Sequence, residues 1–120
     1  MRMNSEFIYH IISQYEWQQV CDNDHYAPGS FVDEGFIHFS FKDQIPSVIE
    51  RYYKNQENLL ILKIEINKLE SKLKLESVPE YGEFPHLYGK LNLDSVNGIY
   101  KILRDDSNEL IWQLINDEIL

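Results

Sequence analysis

The sequence predicts an α+β fold: a compact single domain, residues 1–120, with a split, largely antiparallel sheet. Strand patterns outnumber helix patterns along the chain. The last two strand patterns, residues 98–103 and 109–114, are separated by a short polar turn, as in a hairpin, with no crossover helix between them. The length and the hydrophobic fraction of 43% are sufficient for one domain with its own core.

The first part of the chain is predicted to form a strand, a helix and a loop. Phe7–Ile12 is rich in aromatic and β-branched residues, which favours a strand. Ser13 and Glu16 have the spacing of a capping box, so a helix is expected from there to about Asp22. Residues 23–35 contain proline and glycine and are expected to be mainly loop.

A second strand and helix follow. Phe36–Phe39 is predicted to be a short strand. Ser40 and Asp43 repeat the cap spacing, and apolar residues at helical intervals continue to about Lys54. Pro46 fits the first turn of this helix better than its middle.

The rest of the chain is predicted to be mostly strand. Residues 59–66 alternate as a central strand does: even-numbered side chains face one way, and the odd-numbered face changes from apolar to charged. Residues 67–73 are expected to be a helical turn and residues 73–78 a strand. Residues 79–89 hold two prolines and two glycines, which predicts irregular backbone, and residues 93–96 are expected to make one helical turn.

Composition excludes several classes of function. The net charge of −9 disfavours nucleic-acid backbones and anionic membrane surfaces as partners. No apolar run reaches the ~20 residues that span a bilayer, and the first seven residues lack the long apolar stretch of a signal peptide. Cys21 is the only cysteine, so an internal disulfide is impossible. The cytoplasm is the expected compartment.

Three of the four histidines have apolar or aromatic neighbours: His10, His38 and His86. We expect them to line one cleft together with Ser40, with His38 and Ser40 on the same face of their strand. Such a cleft could hydrogen-bond a nucleotide-like ligand, bind a divalent metal, or perform acid–base catalysis. Because the spacings typical of histidine metal sites are absent, no metal site is assigned.

Aromatic side chains near these segments are candidate walls for a planar ring such as nicotinamide or adenine. The alternative is that they fill the core. The candidates are Tyr26, Tyr81, Phe84 and Tyr88. A glycine-rich phosphate loop is absent, which excludes a P-loop or a Rossmann nucleotide site.

The chain resembles the bacterial family of domain of unknown function 952 over roughly residues 7–103. The phrases that carry this resemblance are Ile8-Tyr9-His10-Ile11, Trp17, Tyr26-Ala27-Pro28, Glu34 to Ser40, Gln44, Arg51-Tyr52-Tyr53 and Phe84 to Gly89. The resemblance implies a compact α+β fold similar to ADP-ribosyltransferases, including the NAD-dependent RNA 2′-phosphotransferases. It therefore implies NAD as a candidate cofactor and a small nucleotide-like molecule as ligand.

The resemblance also implies roles for particular residues. His10 resembles the first-strand residue that orients the NAD ribose, and the segment ending at Ser40 resembles the strand that holds the nicotinamide side. The third element of such enzymes supplies a glutamate, for which Glu83 is the nearby candidate, while His86 and Tyr88 are expected to line that part of the cleft.

Three functions follow from this reading. The chain is an enzyme acting on NAD or on an ADP-ribosylated molecule, a non-catalytic module binding a nucleotide or related metabolite, or a metal-dependent hydrolase. In the first two, His10→Ala and His38→Ala are expected to weaken ligand binding more than they lower stability.

Overall fold

The structure, a computed structural model, describes residues 5–115. Three α-helices and nine strands follow one another in that part of the chain, with three short 3₁₀ turns at Lys42–Gln44, Ile66–Lys68 and Leu93–Ser95. The elements are β1 (Phe7–Ser13), α1 (Gln14–Val20), β2 (His25–Tyr26), α2 (Phe31–Glu34), β3 (Ile37–His38), α3 (Ile45–Tyr52), β4 (Leu59–Glu65), β5 (Lys72–Val78), β6 (Gly82–Tyr88), β7 (Leu91–Asn92), β8 (Val96–Arg104) and β9 (Leu110–Ile115).

The strands pair antiparallel throughout the described part of the chain. One sheet has the order β1-β4-β8-β9, a second has the order β3-β6-β5, and β2 pairs with β7 as a separate ribbon. Tyr9 and Ser40 join the two larger sheets by exchanging backbone hydrogen bonds of 2.8 Å. The predicted α+β domain with a split antiparallel sheet is thus confirmed.

The central strand β4 separates two apolar clusters. Leu60 and Leu62 point into the larger cluster, whereas Ile61 points to the opposite side, as the alternation along the strand predicts. Helix α3 covers the smaller cluster with Ile45 and Ile49, which lie one turn apart and are almost completely buried. This packing fixes the position of α3 against the sheet, and α3 supplies part of the site described below.

The two predicted helix starts differ in outcome. Ser13 caps α1 by accepting a 3.0 Å hydrogen bond from the Glu16 backbone N–H, as predicted. The predicted cap at Ser40 is wrong, because the backbone of Ser40 is engaged with Tyr9. The turn that leads into α3 is instead closed by Gln44, whose side-chain oxygen accepts from the Phe41 N–H at 2.9 Å.

The prediction of irregular backbone over residues 79–89 is wrong for most of that segment. Strand β6 runs through it and pairs with β5 in continuous register from Val78–Gly82 to Lys72–Tyr88. Pro85 is tolerated because its carbonyl accepts from the Phe39 N–H, so its nitrogen faces the same side. Strand β3 has already ended at this position. The N–H that Pro85 lacks would point to the side of β3, so its absence interrupts no hydrogen bond to β5.

Candidate functional site

A cleft of about 530 Å³ lies along the junction of the two larger sheets. Its walls come from β1, β3, β5, β6, α1, α3 and the segment from β2 to α2. Tyr9 and Ser40, which form the bridge between the sheets, both line it. The volume falls in the range of small-molecule sites, roughly 300–1,000 Å³.

Six of the residues singled out in the sequence line this one cleft: His10, Tyr26, His38, Ser40, Phe84 and His86. They come from four chain segments, on β1, β2, the end of β3 and β6. Glu83 and Tyr88 are not among the lining residues. The side chain of Glu83 is exposed, and its backbone carbonyl accepts a 2.7 Å hydrogen bond from the Gln44 amide.

His10 uses both ring nitrogens within the protein. Its Nδ1 lies 2.8 Å from the carbonyl oxygen of His38, and because a carbonyl only accepts, Nδ1 carries the proton. Its Nε2 is then the acceptor, and it receives the Tyr26 hydroxyl proton over 3.0 Å. One neutral tautomer is therefore selected, and His10 shapes the cleft without offering it a free nitrogen.

Burial keeps the His10 ring neutral. Removal from water lowers the pKa of His10 to about 4, although the hydrogen bond to the His38 carbonyl acts in the opposite direction. The ring packs against Phe39 and Tyr26, with centroids 5.3 and 5.4 Å away. A neutral imidazole held in this way fixes the Tyr26 hydroxyl at the cleft surface.

One end of the cleft combines two tyrosine hydroxyls with the carboxyl group of Glu16. Burial, and then the charge of Glu16, raise the pKa of the Tyr53 hydroxyl, and both effects also raise the pKa of the Tyr26 hydroxyl. Burial raises the pKa of the Glu16 carboxyl group as well. Glu16, Tyr26 and Tyr53 all line the cleft, so this end presents hydroxyl groups around one carboxylate.

His38 lies at the rim of the cleft. Its side chain is 54% exposed, and Nε2 lies 3.0 Å from a carboxylate oxygen of Glu34, the last residue of α2. The neighbouring Ile37 and Phe39 are buried, as the strand alternation predicts. Gly35, with φ of 79°, ends α2 in the left-handed conformation and allows the chain to turn back into β3.

His86 is held by the Glu76 carboxylate, which also accepts a hydrogen bond from Tyr88. Its Nδ1 lies 2.8 Å from Glu76 Oε1, and the Tyr88 hydroxyl donates to the same oxygen. These hydrogen bonds, that from Tyr88 first, lower the pKa of the Glu76 carboxyl group. Phe36 stacks on the ring with a centroid distance of 4.3 Å. Tyr88 therefore holds the Glu76 carboxylate that contacts His86, and it does not form the predicted wall of the cleft.

Two residues that line the cleft each have a buried side-chain atom with no hydrogen-bond partner within residues 5–115: Arg51 Nη1 and His86 Nε2. Arg51 projects from α3, and its guanidinium carbon lies 3.5 Å from the centroid of the Tyr81 ring. Buried polar atoms are nearly always paired in native proteins, so these two unpaired atoms require an explanation.

Four charged residues that build this site are not among the site residues that the sequence predicts: Glu16, Glu34, Arg51 and Glu76. Arg51 and Glu34 belong to phrases of the family resemblance, which was the available signal for them. Glu16 was interpreted only as part of a helix cap, and Glu76 only as part of a strand. Glu16 lines the cleft and Glu76 holds His86 because of long-range packing, which a local pattern does not report.

Two findings bear on the other predicted functions. Among residues 5–115, no group of three or more histidine, cysteine, aspartate or glutamate side chains could hold a metal ion. The metal-dependent hydrolase therefore has no support in the geometry. In the same part of the chain, no helix has the length and apolar character needed to cross a membrane.

The chain is similar to solved structures of a bacterial protein. The crystal structure of protein CC0527 from Caulobacter crescentus is 27% identical, covers 88% of this chain and 93% of its own, and superposes with a TM-score of 0.76. A solution NMR structure of the same protein is 28% identical, covers 87% and 90% of the two chains, and has a TM-score of 0.73. No curated protein matches the chain significantly. The model of the family described as "Protein of unknown function (DUF952)" matches residues 11–99, well over half of the sequence, and the chain therefore belongs to that family.

Proposed function

We propose that the cleft binds a nucleotide-like ligand, NAD or an ADP-ribose-like molecule, in an ADP-ribosyltransferase-like domain. The observation that supports this proposal is the convergence of residues from four distant chain segments on one cleft of ligand size. Sites for small molecules are concave, largely apolar and lined by a few convergent polar groups, and this cleft has that character.

The walls suit a planar ring with a sugar attached. Tyr26, Tyr52, Tyr53 and Phe84 supply aromatic surface in the cleft. Aromatic side chains pack favourably against flat rings, and tyrosine hydroxyls provide a polar edge. Close to them, the Glu16 carboxylate can accept hydrogen bonds from sugar hydroxyls.

An enzyme of this class needs a carboxylate beside the ribose. Cleavage of the nicotinamide bond develops positive charge on the ribose, which a nearby carboxylate stabilises. Glu83 is exposed and outside the lining residues, whereas Glu16 and Glu34 line the cleft. Glu34 holds His38, so the catalytic form of the proposal gives this role to Glu16. The alternative is a non-catalytic module that uses the same cleft for binding.

Ligand-induced stabilisation tests the binding proposal. Thermal melts are recorded with NAD, ADP-ribose, other nucleotides and Zn²⁺, and a ligand at ~100 times its dissociation constant should add roughly 2.7 kcal/mol of stability. Tyr53→Ala should weaken the effect of NAD or ADP-ribose. His25→Ala should leave it unchanged, because His25 is exposed and outside the cleft. If neither NAD nor ADP-ribose stabilises the protein, the proposal is wrong.

Nicotinamide release separates the two forms of the proposal. An enzyme should release nicotinamide from NAD, and Glu16→Gln should abolish the release while Glu83→Gln retains it. Binding of NAD without release in the presence of any offered acceptor identifies the non-catalytic module. Equal turnover by the wild type and Glu16→Gln would assign catalysis to a different residue.

A further inference from the structure

We infer that Arg51 and His86 form an anion subsite that takes a phosphate group of the ligand. The inference deepens the proposed function, on which the nucleotide part of the ligand rests. The two unpaired buried atoms and the groups that hold them in place support the subsite itself.

Arg51 brings a permanent positive charge to the cleft. A guanidinium does not lose its proton in proteins, so Nη1 is always a donor. Nη1 is buried and has no acceptor in the described part of the chain, while Nε points to the Ser47 carbonyl at 3.4 Å. The side chain lies against Tyr81 and, more distantly, Phe84, at 3.5 and 5.8 Å from the ring centroids. The guanidinium is therefore held in place, while its Nη1 has no hydrogen-bond partner in the described part of the chain.

His86 offers the second contact. The residue is 5% exposed, and Glu76 and Phe36 fix the orientation of its ring. Because the Glu76 carboxylate only accepts, Nδ1 carries a proton and Nε2 is the atom left for the cleft. When the ring is protonated both nitrogens are donors, and Nε2 then donates to a phosphate oxygen.

The charges around the cleft restrict the anion to the neighbourhood of Arg51 and His86. Glu16 and Glu34 also line it and repel a negative group, and the chain as a whole carries a net charge of −9. Arg51 is the one lysine or arginine among the described residues that line the cleft. The planar guanidinium matches the oxygens of a phosphate, and charge-assisted hydrogen bonds of this kind are the strong ones. The phosphate therefore belongs beside Arg51.

The test compares ligands that differ by one phosphate. Nicotinamide mononucleotide and nicotinamide riboside are titrated into the wild type by calorimetry, with inorganic pyrophosphate as a probe lacking the nucleoside. We expect the mononucleotide to bind at least about tenfold more tightly than the riboside. Arg51→Gln and His86→Gln should each remove most of that difference and leave riboside binding unchanged. Arg51→Lys keeps the charge but loses the planar fork, and should give an intermediate value.

Lys54→Gln is the matched control. It removes one positive charge just beyond the same helix, at a side chain that is exposed and outside the cleft. It should leave the difference between mononucleotide and riboside intact. Thermal melts of each variant show that it is folded, and Arg51→Lys provides a second variant should Arg51→Gln be unstable.

The outcomes distinguish the subsite from the proposed function. If mononucleotide and riboside bind equally, or if Lys54→Gln acts as strongly as Arg51→Gln, the subsite is refuted while nucleoside binding stands. If pyrophosphate binds in an Arg51-dependent manner and no nucleotide or nucleoside binds, the subsite stands and the proposed function fails. If none of the phosphate compounds binds, the subsite is refuted as well.

Discussion

A single imidazole can be part of a binding cleft and still be engaged entirely by the protein, as His10 is. Its two nitrogens join the His38 carbonyl to the Tyr26 hydroxyl, across three separate segments of the chain. A ligand therefore meets the ring face and the Tyr26 hydroxyl instead of a free nitrogen. The structure thus gives opposite expectations for His10 and His38, which the sequence had treated alike.

We predict that His10→Ala lowers the free energy of unfolding by about 1–3 kcal/mol or more, because it leaves two buried polar groups unpaired. His38→Ala should change it by no more than about 0.5 kcal/mol, because that ring is largely exposed. Urea denaturation of the two variants measures both values. A stable His10→Ala protein would show that the hydrogen bonds of this ring contribute little.

The buried neutral state of His10 also predicts a pH dependence of stability. The folded pKa of about 4 lies below the ordinary value of 6.5, so between these values the unfolded chain binds a proton that the folded chain excludes. Stability should therefore fall as the pH decreases through this window, at up to about 1.4 kcal/mol per pH unit from this group. Well above pH 6.5, His10 no longer changes the free energy of unfolding as the pH changes.

Denaturation at several pH values measures this slope in the wild type and in His10→Asn. The variant should lose the contribution of His10 between pH 6.5 and 4. His25→Asn provides the control, since it removes an exposed histidine outside the cleft. Equal slopes in the wild type and in His10→Asn would contradict the assignment.

At the scale of elements, strand β6 shows how partners override local preference. Gly82 and Pro85 disfavour a strand, yet β5 pairs with β6 along its whole length and β3 pairs with two residues on the other side. Phe84 and His86 alternate with Pro85 and Leu87 along the strand, and the first two line the cleft. A strand places these side chains more firmly than a loop could.

The turn after β6 has a glycine that a larger residue cannot replace without strain. A Cβ at Gly89 would overlap the side chain of Ser71, and the backbone there has φ of 156°. We predict that Gly89→Ala lowers stability by roughly 1–3 kcal/mol, measured by urea denaturation. Ser71→Gly in the same chain should recover part of the loss. Gly29→Ala is the control, because open space surrounds its Cβ. A Gly89→Ala protein as stable as the Gly29→Ala protein would refute the clash.

At the scale of the whole molecule, the cleft depends on how two sheets meet. The Tyr9–Ser40 bridge brings β1 beside the end of β3, and α3 closes the side on which Arg51 lies. A ligand in this cleft would contact both sheets at once. Binding should therefore slow motions that separate them.

Hydrogen exchange can detect this effect. We predict that saturating NAD or ADP-ribose slows amide exchange in β1, in residues 38–40 and in β6 together. The distant hairpin of β8 and β9 serves as the internal control, since neither strand lines the cleft. Protection confined to one of the two sheets would contradict binding at their junction.

The sequence by itself determined the α+β class, the alternation of β4, the capped start of α1 and the histidines, tyrosine and serine that meet in the cleft. These features depend on local periodicity and side-chain chemistry, which can be recognised from residues that are close together in the sequence. Only the tertiary structure decided that β6 is a strand, that His10 is neutral and fully engaged, and that Arg51 and His86 each keep a buried atom unpaired. Strand pairing, burial and hydrogen-bond partners join residues far apart in the chain, and so no local pattern contains them.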